Sequence, residues 1–242
     1  MMPFREELRM NELKILALDT ATEACSAALQ VGESVYARWE EAPRDHTKKI
    51  LPMVQALLDE AGITLSELDA IAFGRGPGSF TGVRIGVGVA QGLAFGAGVP
   101  LIGISTLAAM AQGAYRLDGA ERVVSAIDAR MGEIYLGRYL LQDGLMVLDG
   151  EEQVTGPEAV AQAETLSGLW FSTGTGFETY ADLLSGLADE LRPCPATRLP
   201  AAQDMLPLAK AAWLAGSAVA PEQATPVYLR DKVTWKKLPG RE

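Results

Sequence analysis

A glycine-rich segment carries the first candidate chemistry in this chain. Residues 74–78 read Gly-Arg-Gly-Pro-Gly and precede a predicted helix from about Thr81 to Gly96. Glycine-rich backbone before a helix N-terminus can bind phosphate. The segment lacks the Gly-Lys-Ser/Thr ending of a P-loop, so no lysine reaches a phosphate, and Pro77 removes a backbone donor. We therefore expect Ser79 or Thr81 to cap the helix, in preference to phosphate binding by the loop.

The single histidine, His46, is the second candidate. Beside Asp45 it suggests a general base, but no serine or cysteine lies in a recognisable nucleophile elbow. We expect surface or interface contacts for His46 at a helix start, and no catalysis. One histidine cannot build a histidine-rich metal site. The distant Cys25 and Cys194 form no metal pattern and are typical of a reduced, cytoplasmic protein.

Composition and charge restrict the class of partner. The 242 residues are 48% hydrophobic, which is ordinary for a globular chain and enough for two lobes. They carry a net charge of −10, so the chain would repel nucleic acid unless a partner supplied positive charge. The charged residues 1–10 do not form a secretory signal. Residues 85–104 are uncharged but contain six glycines and a proline, which favours a buried helix and a core strand over a membrane span.

Hydrophobic patterns predict two similar halves. In the first, strands over 13–19, 25–31 and 34–41 form a meander. A helix follows over His46–Ala61, with apolar residues at helical spacing and Gly62 at its end. Next come a strand over 69–73, the glycine helix, a strand over 101–104 and a helix over 105–115. Strands over 123–128 and 133–141 and near Met146 start the second half, followed by a strand over 170–173 and a helix over Glu178–Leu191. This order is typical of mixed sheets covered by helices.

These patterns resemble a known fold and a known family. A meander whose first strand ends in Asp19, repeated about a hundred residues later, resembles actin, Hsp70 and the sugar kinases. The segment from Gly74 to Gly86, together with Asp19-Thr20-Ala21-Thr22 and residues 226–230, resembles the bacterial TsaB (YeaZ) family of tRNA threonylcarbamoyladenosine biosynthesis proteins. The resemblance implies an α/β fold of the two-lobed, actin-like ATPase (ribonuclease H-like) type, each lobe being a mixed sheet flanked by helices.

The same resemblance implies nucleotide loops that are degenerate. Members of the fold hold phosphates between two hairpins that begin with Asp, here Asp19, Thr20 and Thr22 in the first lobe and Asp128 in the second. Alanine replaces the expected glycine at Ala21 and follows Asp128 at position 129, and a Cβ atom there crowds a phosphate. An adenosine loop survives as Gly174 and Gly176. Asp19 and Asp128 either bind Mg²⁺ through water or accept local turn hydrogen bonds. We expect no tight cofactor, leaving open weak or interface-bound ATP or ADP with Mg²⁺.

The metal site of the related catalytic subunit TsaD is expected to be absent. TsaD carries two histidines four residues apart after a core strand, on one helix face. Alignment of residues 100–104 with that strand places Thr106 and Met110 at those positions. Neither side chain is a useful ligand for a divalent ion.

Two small-residue ridges on the glycine helix suggest a partner interface. The first ridge contains Gly82, Gly86, Ala90 and Ala94, and the second contains Gly88, Gly92 and Gly96. Both ridges could pack on the protein's own sheet, or one could admit a helix of another subunit. The resemblance favours a four-helix contact through the two helices of the first lobe. The predicted interface residues are His46, Ile50, Gly82, Gly86, Gly92 and, across the rim, Arg84.

The resemblance implies a scaffold and not an enzyme. The chain would bind and activate TsaD, in a complex with the ATPase TsaE, for threonylcarbamoyl transfer to the adenosine beside the tRNA anticodon. It would form a homodimer when alone and touch tRNA only indirectly. An active phosphotransferase and an M22-type metallopeptidase remain the alternatives. We divide the chain into a leader (1–12), a first lobe (13–118), a second lobe (119–227) and a basic tail (228–242). Packing of the last helix of the second lobe on the first lobe is left open.

Overall fold

A five-stranded sheet forms the centre of the first lobe in the computed structural model, which describes residues 13–163 and 165–230. The predicted leader and residues 231–242 of the predicted tail lie outside this range. The strands are β1 (Lys14–Asp19), β2 (Ala24–Val31), β3 (Ser34–Glu41), β4 (Ala70–Gly76) and β5 (Leu101–Ser105). Their order is β3-β2-β1-β4-β5. The first three pair antiparallel, and β4 and β5 join in parallel, which confirms the predicted meander.

Helices cover both faces of this sheet. They are α1 (His46–Ala61), α2 (Phe80–Ala97) and α3 (Thr106–Asp118), together with α7 (Ala202–Leu214) from the far end of the chain. Alternate residues of β1 face opposite sides: Leu16 and Leu18 pack with α1 and α2, whereas Ile15 packs with α3 and α7. All three side chains are fully buried, and each such burial contributes about 1.5–3 kcal/mol. The middle of the central strand, from Ile15 to Leu18, is therefore apolar on both faces.

The second lobe repeats the theme with a six-stranded sheet. Its strands are β6 (Arg122–Arg130), β7 (Glu133–Gln142), β8 (Leu145–Leu148), β10 (Leu166–Thr173) and β11 (Ala188–Pro193), with the short β9 (Gln153–Thr155) pairing to β7. The order is β11-β10-β6-β7-β8. Its short helices are α4 (Pro157–Ala161), α5 (Thr175–Thr179) and α6 (Ala181–Leu184). Two mixed sheets flanked by helices make up the predicted two-lobed, actin-like fold.

One predicted element is wrong. The segment 178–191 is not one helix: it contains the end of α5, all of α6 and the start of β11. Gly186 follows α6 in the sequence, and Ala188–Pro193 pairs in parallel with β10. Pairing with a neighbouring strand therefore overrides the helical spacing of the leucines.

Two further features bear on the site. Helix α7 follows the second sheet in sequence but packs on the first, and α3 contacts both sheets. No helix in the part of the chain that the structure describes has the length and hydropathy to cross a bilayer. The uncharged segment 85–104 is divided between α2 and β5.

Candidate functional site

A cleft of about 1050 Å³ lies between the lobes. One wall contains residues 21–23 of the β1–β2 hairpin and residues 77–80 before and at the start of α2. The other contains residues 127–130 of the β6–β7 hairpin and part of α5. Val83, Tyr135, Arg198 and residues 227–230 also line the cleft. The topology thus brings together both hairpins and the glycine segment that the sequence singled out.

Asp19 ends β1 but does not face the cleft. Its side chain is 1% exposed, and Oδ1 accepts a hydrogen bond from the Ala21 amide at 3.0 Å. Oδ2 has no hydrogen-bond partner among the described residues and lies against Gly74, where an added Cβ would approach it to 1.8 Å. Burial raises the pKa of Asp19 to about 7. A carboxyl group enclosed by backbone in this way leaves no room for a hydrated cation.

The threonines of the first hairpin hold the lobe together. The Thr20 hydroxyl donates to the Gly82 carbonyl at 2.7 Å. The Thr22 hydroxyl accepts from the Ala24 amide, and the Thr22 carbonyl lies 2.8 Å from Nε2 of His46. These contacts fix the hairpin to α2 and α1.

The glycine segment is engaged by the same hairpin. The Ser79 amide, a donor that a phosphate would need, donates to the Ala21 carbonyl at 2.7 Å. The Ser79 side chain accepts from the Gly82 amide, which confirms the predicted N-cap of α2. The segment therefore joins two parts of the first lobe.

Four of the predicted interface residues are buried within the chain itself. Ile50 is fully buried, and His46 is 8% exposed, because the apolar stripe of α1 faces its own sheet. Gly82 and Gly86 are also buried. A Cβ on Gly82 would lie 2.2 Å from the Thr20 carbonyl oxygen, and one on Gly86 would lie 2.8 Å from its hydroxyl. The first ridge thus packs inside the chain.

The second ridge is open. Gly88, Gly92 and Gly96 are exposed, and a Cβ built on any of them meets nothing within 4 Å. Phe95, beside this ridge, is 81% exposed. Arg84 is exposed at the other end of α2, where its guanidinium stacks 3.8 Å from the ring centre of Phe80. The roles of Gly92 and Arg84 at an interface stay predictions.

In the second hairpin, both carboxylate oxygens of Asp128 accept hydrogen bonds from the hairpin itself. Asp128 Oδ1 accepts from the Arg130 amide at 2.9 Å, and Oδ2 accepts from the Arg130 guanidinium at 3.0 Å. Residues 130–132 all have positive φ, a tight left-handed turn that brings Arg130 back over Asp128. This carboxylate accepts the local turn hydrogen bonds that the sequence offered as one of two roles.

The glycines of the predicted adenosine loop pack within the second lobe. A Cβ on Gly174 would come within 2.1 Å of the Ala126 carbonyl oxygen, and one on Gly176 within 2.9 Å of the Ala126 side chain. Both glycines therefore let the chain cross β6 closely. Thr175, which lies between them, lines the cleft.

Sequence reasoning missed the role of residues 227–230. The Val227 amide donates to the Arg75 carbonyl at 2.8 Å, and the Tyr228 hydroxyl accepts from Arg84 Nε at 2.9 Å. Arg230 donates to the Ala129 carbonyl at 3.1 Å and pairs with Glu133. The Pro-Val-Tyr-Leu-Arg sequence supported the family resemblance but did not reveal these contacts. The partners of Val227 and Tyr228 in the first lobe lie more than a hundred residues earlier in the chain. Residues 228–230 of the predicted tail are thus part of the folded lobes.

Comparison with known proteins shows the family to which the chain belongs. The family model "TsaD: tRNA N6-adenosine threonylcarbamoyltransferase" matches residues 38–233. The tRNA threonylcarbamoyladenosine biosynthesis protein TsaB of Escherichia coli is 53% identical over 232 residues, covering 95% of this chain and 100% of that protein. The chain belongs to the TsaB family.

Two further TsaB relatives agree with this assignment. The TsaB protein of Haemophilus influenzae is 47% identical over 244 residues, covering 96% of this chain and 100% of the relative. The solved structure of YeaZ from Pseudomonas aeruginosa superposes with a TM-score of 0.83 at 50% identity, covering 90% of this chain and 100% of that one. The match extends through both lobes.

In this TsaB-family chain, the two positions that the sequence analysis aligned with histidines are buried. Thr106 and Met110 are each 1% exposed, and Met110 packs in an apolar cluster with Leu107 and Val123. Across residues 13–163 and 165–230 there is no group of three or more His, Cys, Asp or Glu side chains that could hold a metal ion.

The cleft residues do not fit a magnesium-bound triphosphate either. Asp19 is enclosed beside Gly74 and Asp128 is bound by Arg130. The Ser79 amide is bound to Ala21. Asp19 is therefore closed off by backbone, and Asp128 and the Ser79 amide already have partners within the chain.

Proposed function

We propose that this TsaB-family chain is a non-catalytic subunit that binds and activates a TsaD-like catalytic subunit. The reaction is the transfer of a threonylcarbamoyl group to the adenosine beside the anticodon of tRNA. The names of the relatives support the pathway. The enclosure of Asp19 beside Gly74 and the hydrogen bonds of Asp128 and the Ser79 amide support the non-catalytic role. None of these three groups is free to act as an acid or a base or to bind a phosphate.

The observation that carries the proposal is the open second ridge of α2. Gly88, Gly92 and Gly96 leave the helix backbone uncovered, and such a flat ridge lets another helix approach closely. Phe95 beside it is 81% exposed. Burying a side chain of this size contributes about 1.5–3 kcal/mol, so a partner that covers it would gain affinity.

Helix α1 extends this surface. It lies on the same face of the first sheet as α2 and contacts it. Leu51 on α1 is 48% exposed. Two neighbouring helices with exposed apolar residues match the four-helix contact expected from the family resemblance, with two helices contributed by each subunit.

The remaining partners follow from the same surface and from charge. A second copy of the chain would cover the ridge when the catalytic subunit is absent, giving a homodimer. A TsaE-like ATPase would join the assembly, and tRNA would be contacted only indirectly because the chain carries a net charge of −10.

Cys25 and Cys194 are free and buried, which supports a reducing, cytoplasmic setting. We expect no tightly bound cofactor, with weak or interface-bound ATP or ADP and Mg²⁺ as the remaining option.

An activator without chemistry acts only through its preference for one conformation of the catalytic subunit. The test is to mix the purified chain with a purified TsaD-like subunit and follow co-elution by gel filtration. Modified adenosine in tRNA is then measured with threonylcarbamoyl adenylate as donor and with a TsaE-like ATPase and ATP in every reaction. We expect a complex, product only when both subunits are present, and no product from this chain alone.

The control variant places bulk far from the ridge. Ala215→Leu, at the exposed end of α7, is expected to co-elute and activate like the unchanged chain. Product formed by this chain alone, or no complex at micromolar concentration with or without nucleotide, would refute the proposal.

A further inference from the structure

The mouth of the cleft is crossed by arginines that connect the two lobes. Arg130, on the β6–β7 hairpin, binds Asp128 beneath it and also places a guanidinium nitrogen 3.3 Å from Glu23 on the β1–β2 hairpin. These are the two hairpins between which members of the fold hold phosphates. Here a side chain of the protein joins them directly.

A second arginine makes a similar connection on another side of the cleft. Arg198 donates through Nε to Glu178 of α5 at 2.9 Å, and through Nη1 to Glu41 at the end of β3 at 3.3 Å. Glu178 belongs to the second lobe and Glu41 to the first. Arg198 therefore lies between two carboxylates from different lobes.

The third connection is the segment 227–230. It is bound to the first lobe by the Val227 amide and by Tyr228, as described above. It reaches the second lobe through Arg230, which contacts the carbonyls of Ala129 and Arg130 and the carboxylate of Glu133. The Arg230 side chain is 18% exposed, which makes it the least solvated of the three arginines.

An apolar contact outside the cleft lining also joins the lobes. Helix α3 packs on both sheets through apolar side chains. We expect the lobes to move about this apolar contact, so that the arginine contacts at the cleft limit how far it opens.

We propose that Arg130, Arg198 and Arg230 form an arginine clamp that takes the place of a bound nucleotide as the connection between the lobes. The clamp holds the cleft at one opening without any ligand. It presents a rigid two-lobed body to a partner, whereas a nucleotide-driven relative changes its opening with each ligand. This inference goes beyond the proposed function and does not depend on it.

The charges support this assignment. Arg130, Arg198 and Arg230 each face at least one carboxylate in or near the cleft, namely Glu23 and Asp128, Glu41 and Glu178, and Glu133. The guanidinium groups are thus neutralised by the protein itself. Exposed ion pairs weaken as salt screens them, so the clamp should loosen at high ionic strength, least at the more buried Arg230.

The test measures the distance between the lobes in the whole chain. Spin labels are attached to Ser34→Cys in the first lobe and Ala159→Cys in the second, both at exposed positions. The native cysteines should stay unlabelled because they are buried and because burial raises the pKa of each thiol to about 12. Double electron–electron resonance then gives the distance distribution.

We expect the triple variant Arg130→Ala/Arg198→Ala/Arg230→Ala to shift the distribution to longer distances and broaden it. Arg192→Ala is the matched control, because Arg192 pairs with Glu190 inside the second lobe, and it should leave the distribution unchanged. If the triple variant does not fold, Arg130→Ala/Arg198→Ala with Arg230 retained serves instead and should broaden the distribution. An unchanged distribution in a folded clamp variant contradicts the proposal.

A ligand arm separates the clamp from an anion site. Inorganic phosphate or Mg-ATP at millimolar concentration is added to the labelled chain. The clamp predicts no change beyond that caused by sodium chloride at equal ionic strength. A specific shift with either ligand would show that the arginines serve an external anion and would overturn the proposal.

Discussion

Asp19 and Gly74 are in direct contact at the centre of the first lobe, carboxylate against backbone. Oδ2 of Asp19 lies so close to Gly74 that a Cβ there would approach to 1.8 Å. Asp19 ends β1, and Gly74 lies two residues before the end of the adjacent parallel strand β4. The glycine at the start of the family signature is therefore required by a buried acid 55 positions earlier.

Substitution of Gly74 should disturb this contact. We expect Gly74→Ala to lower the free energy of unfolding by about 2–4 kcal/mol, since the new methyl group displaces a buried side chain. Urea unfolding measures the loss. Gly88→Ala is the control: nothing lies near its Cβ, and it should be neutral or stabilising by up to about 1 kcal/mol. The explanation fails if Asp19→Ala does not restore part of the stability lost in Gly74→Ala.

Asp19 should also make stability depend on pH. Burial raises its pKa to about 7 in the folded chain, against about 3.9 when unfolded. The folded state therefore holds the proton more tightly, and ionisation of Asp19 destabilises the fold. This destabilisation is absent below pH about 4, grows between 4 and 7 and is complete above 7, reaching at most about 4 kcal/mol.

Asp19→Asn tests the sign of this effect. The variant should be as stable as the unchanged chain at pH 4 and more stable at pH 8, as measured by urea unfolding at each pH. Asp182→Asn, at an exposed position, should leave the pH dependence unaltered. Parallel stability curves for Asp19→Asn and the unchanged chain would rule out a shifted carboxyl group at this position.

An ion pair joins α3 to α7 and so connects the end of the chain to the first lobe. Arg116 donates through Nε to Asp204 at 2.6 Å and through Nη2 at 3.2 Å. Asp204 is 3% exposed, and burial raises its pKa although the hydrogen bonds from Arg116 oppose the rise. Arg116→Met should cost about 2–3 kcal/mol of stability, because a buried carboxylate loses its partner while the arginine itself is partly solvated.

Thermal and urea unfolding of Arg116→Met provide the measurement. Arg138→Met is the matched control, since Arg138 and Asp149 form a solvent-exposed pair at 3.6 Å, and it should cost no more than about 1 kcal/mol. Equal losses in the two variants would show that burial of Asp204 does not matter.

Local patterns predicted the elements whose partners are adjacent in sequence. The alternation of β1 to β3 and the helical spacing of Ile50 and Leu57 in α1 depend on one buried face, which a short window reveals. The helix predicted over 178–191 was wrong because its structure depends on a partner that a short window does not reveal. Its last third became β11 because β10 offers an unpaired edge, and that edge is a property of the assembled sheet.

The site was predicted in part for a similar reason. Residue types were enough to find the two hairpins and the glycine segment. They did not show which side chains and amides of these segments are buried or hydrogen-bonded within the chain. Gly86 and Gly92 lie on two small-residue ridges of one helix, and the packing of Thr20 and Leu18 against Gly86 shows which ridge is buried. The sequence did not indicate that Arg130 connects the two lobes, because its partner Glu23 is 107 residues away.

The most direct test of the central claim is a steric probe on the second ridge. Gly92→Leu adds bulk where a partner helix would lie, and Gly92→Ala adds a single methyl group to the same helix. Both should keep the circular dichroism spectrum and the melting temperature, since leucine and alanine favour helix more than glycine does. Gly86→Leu, by contrast, should unfold the chain. We predict that Gly92→Leu binds a TsaD-like subunit at least about tenfold more weakly, a loss of about 1.4 kcal/mol, while Gly92→Ala still co-elutes with it. A folded Gly92→Leu variant that binds and activates the catalytic subunit like the unchanged chain would contradict the account.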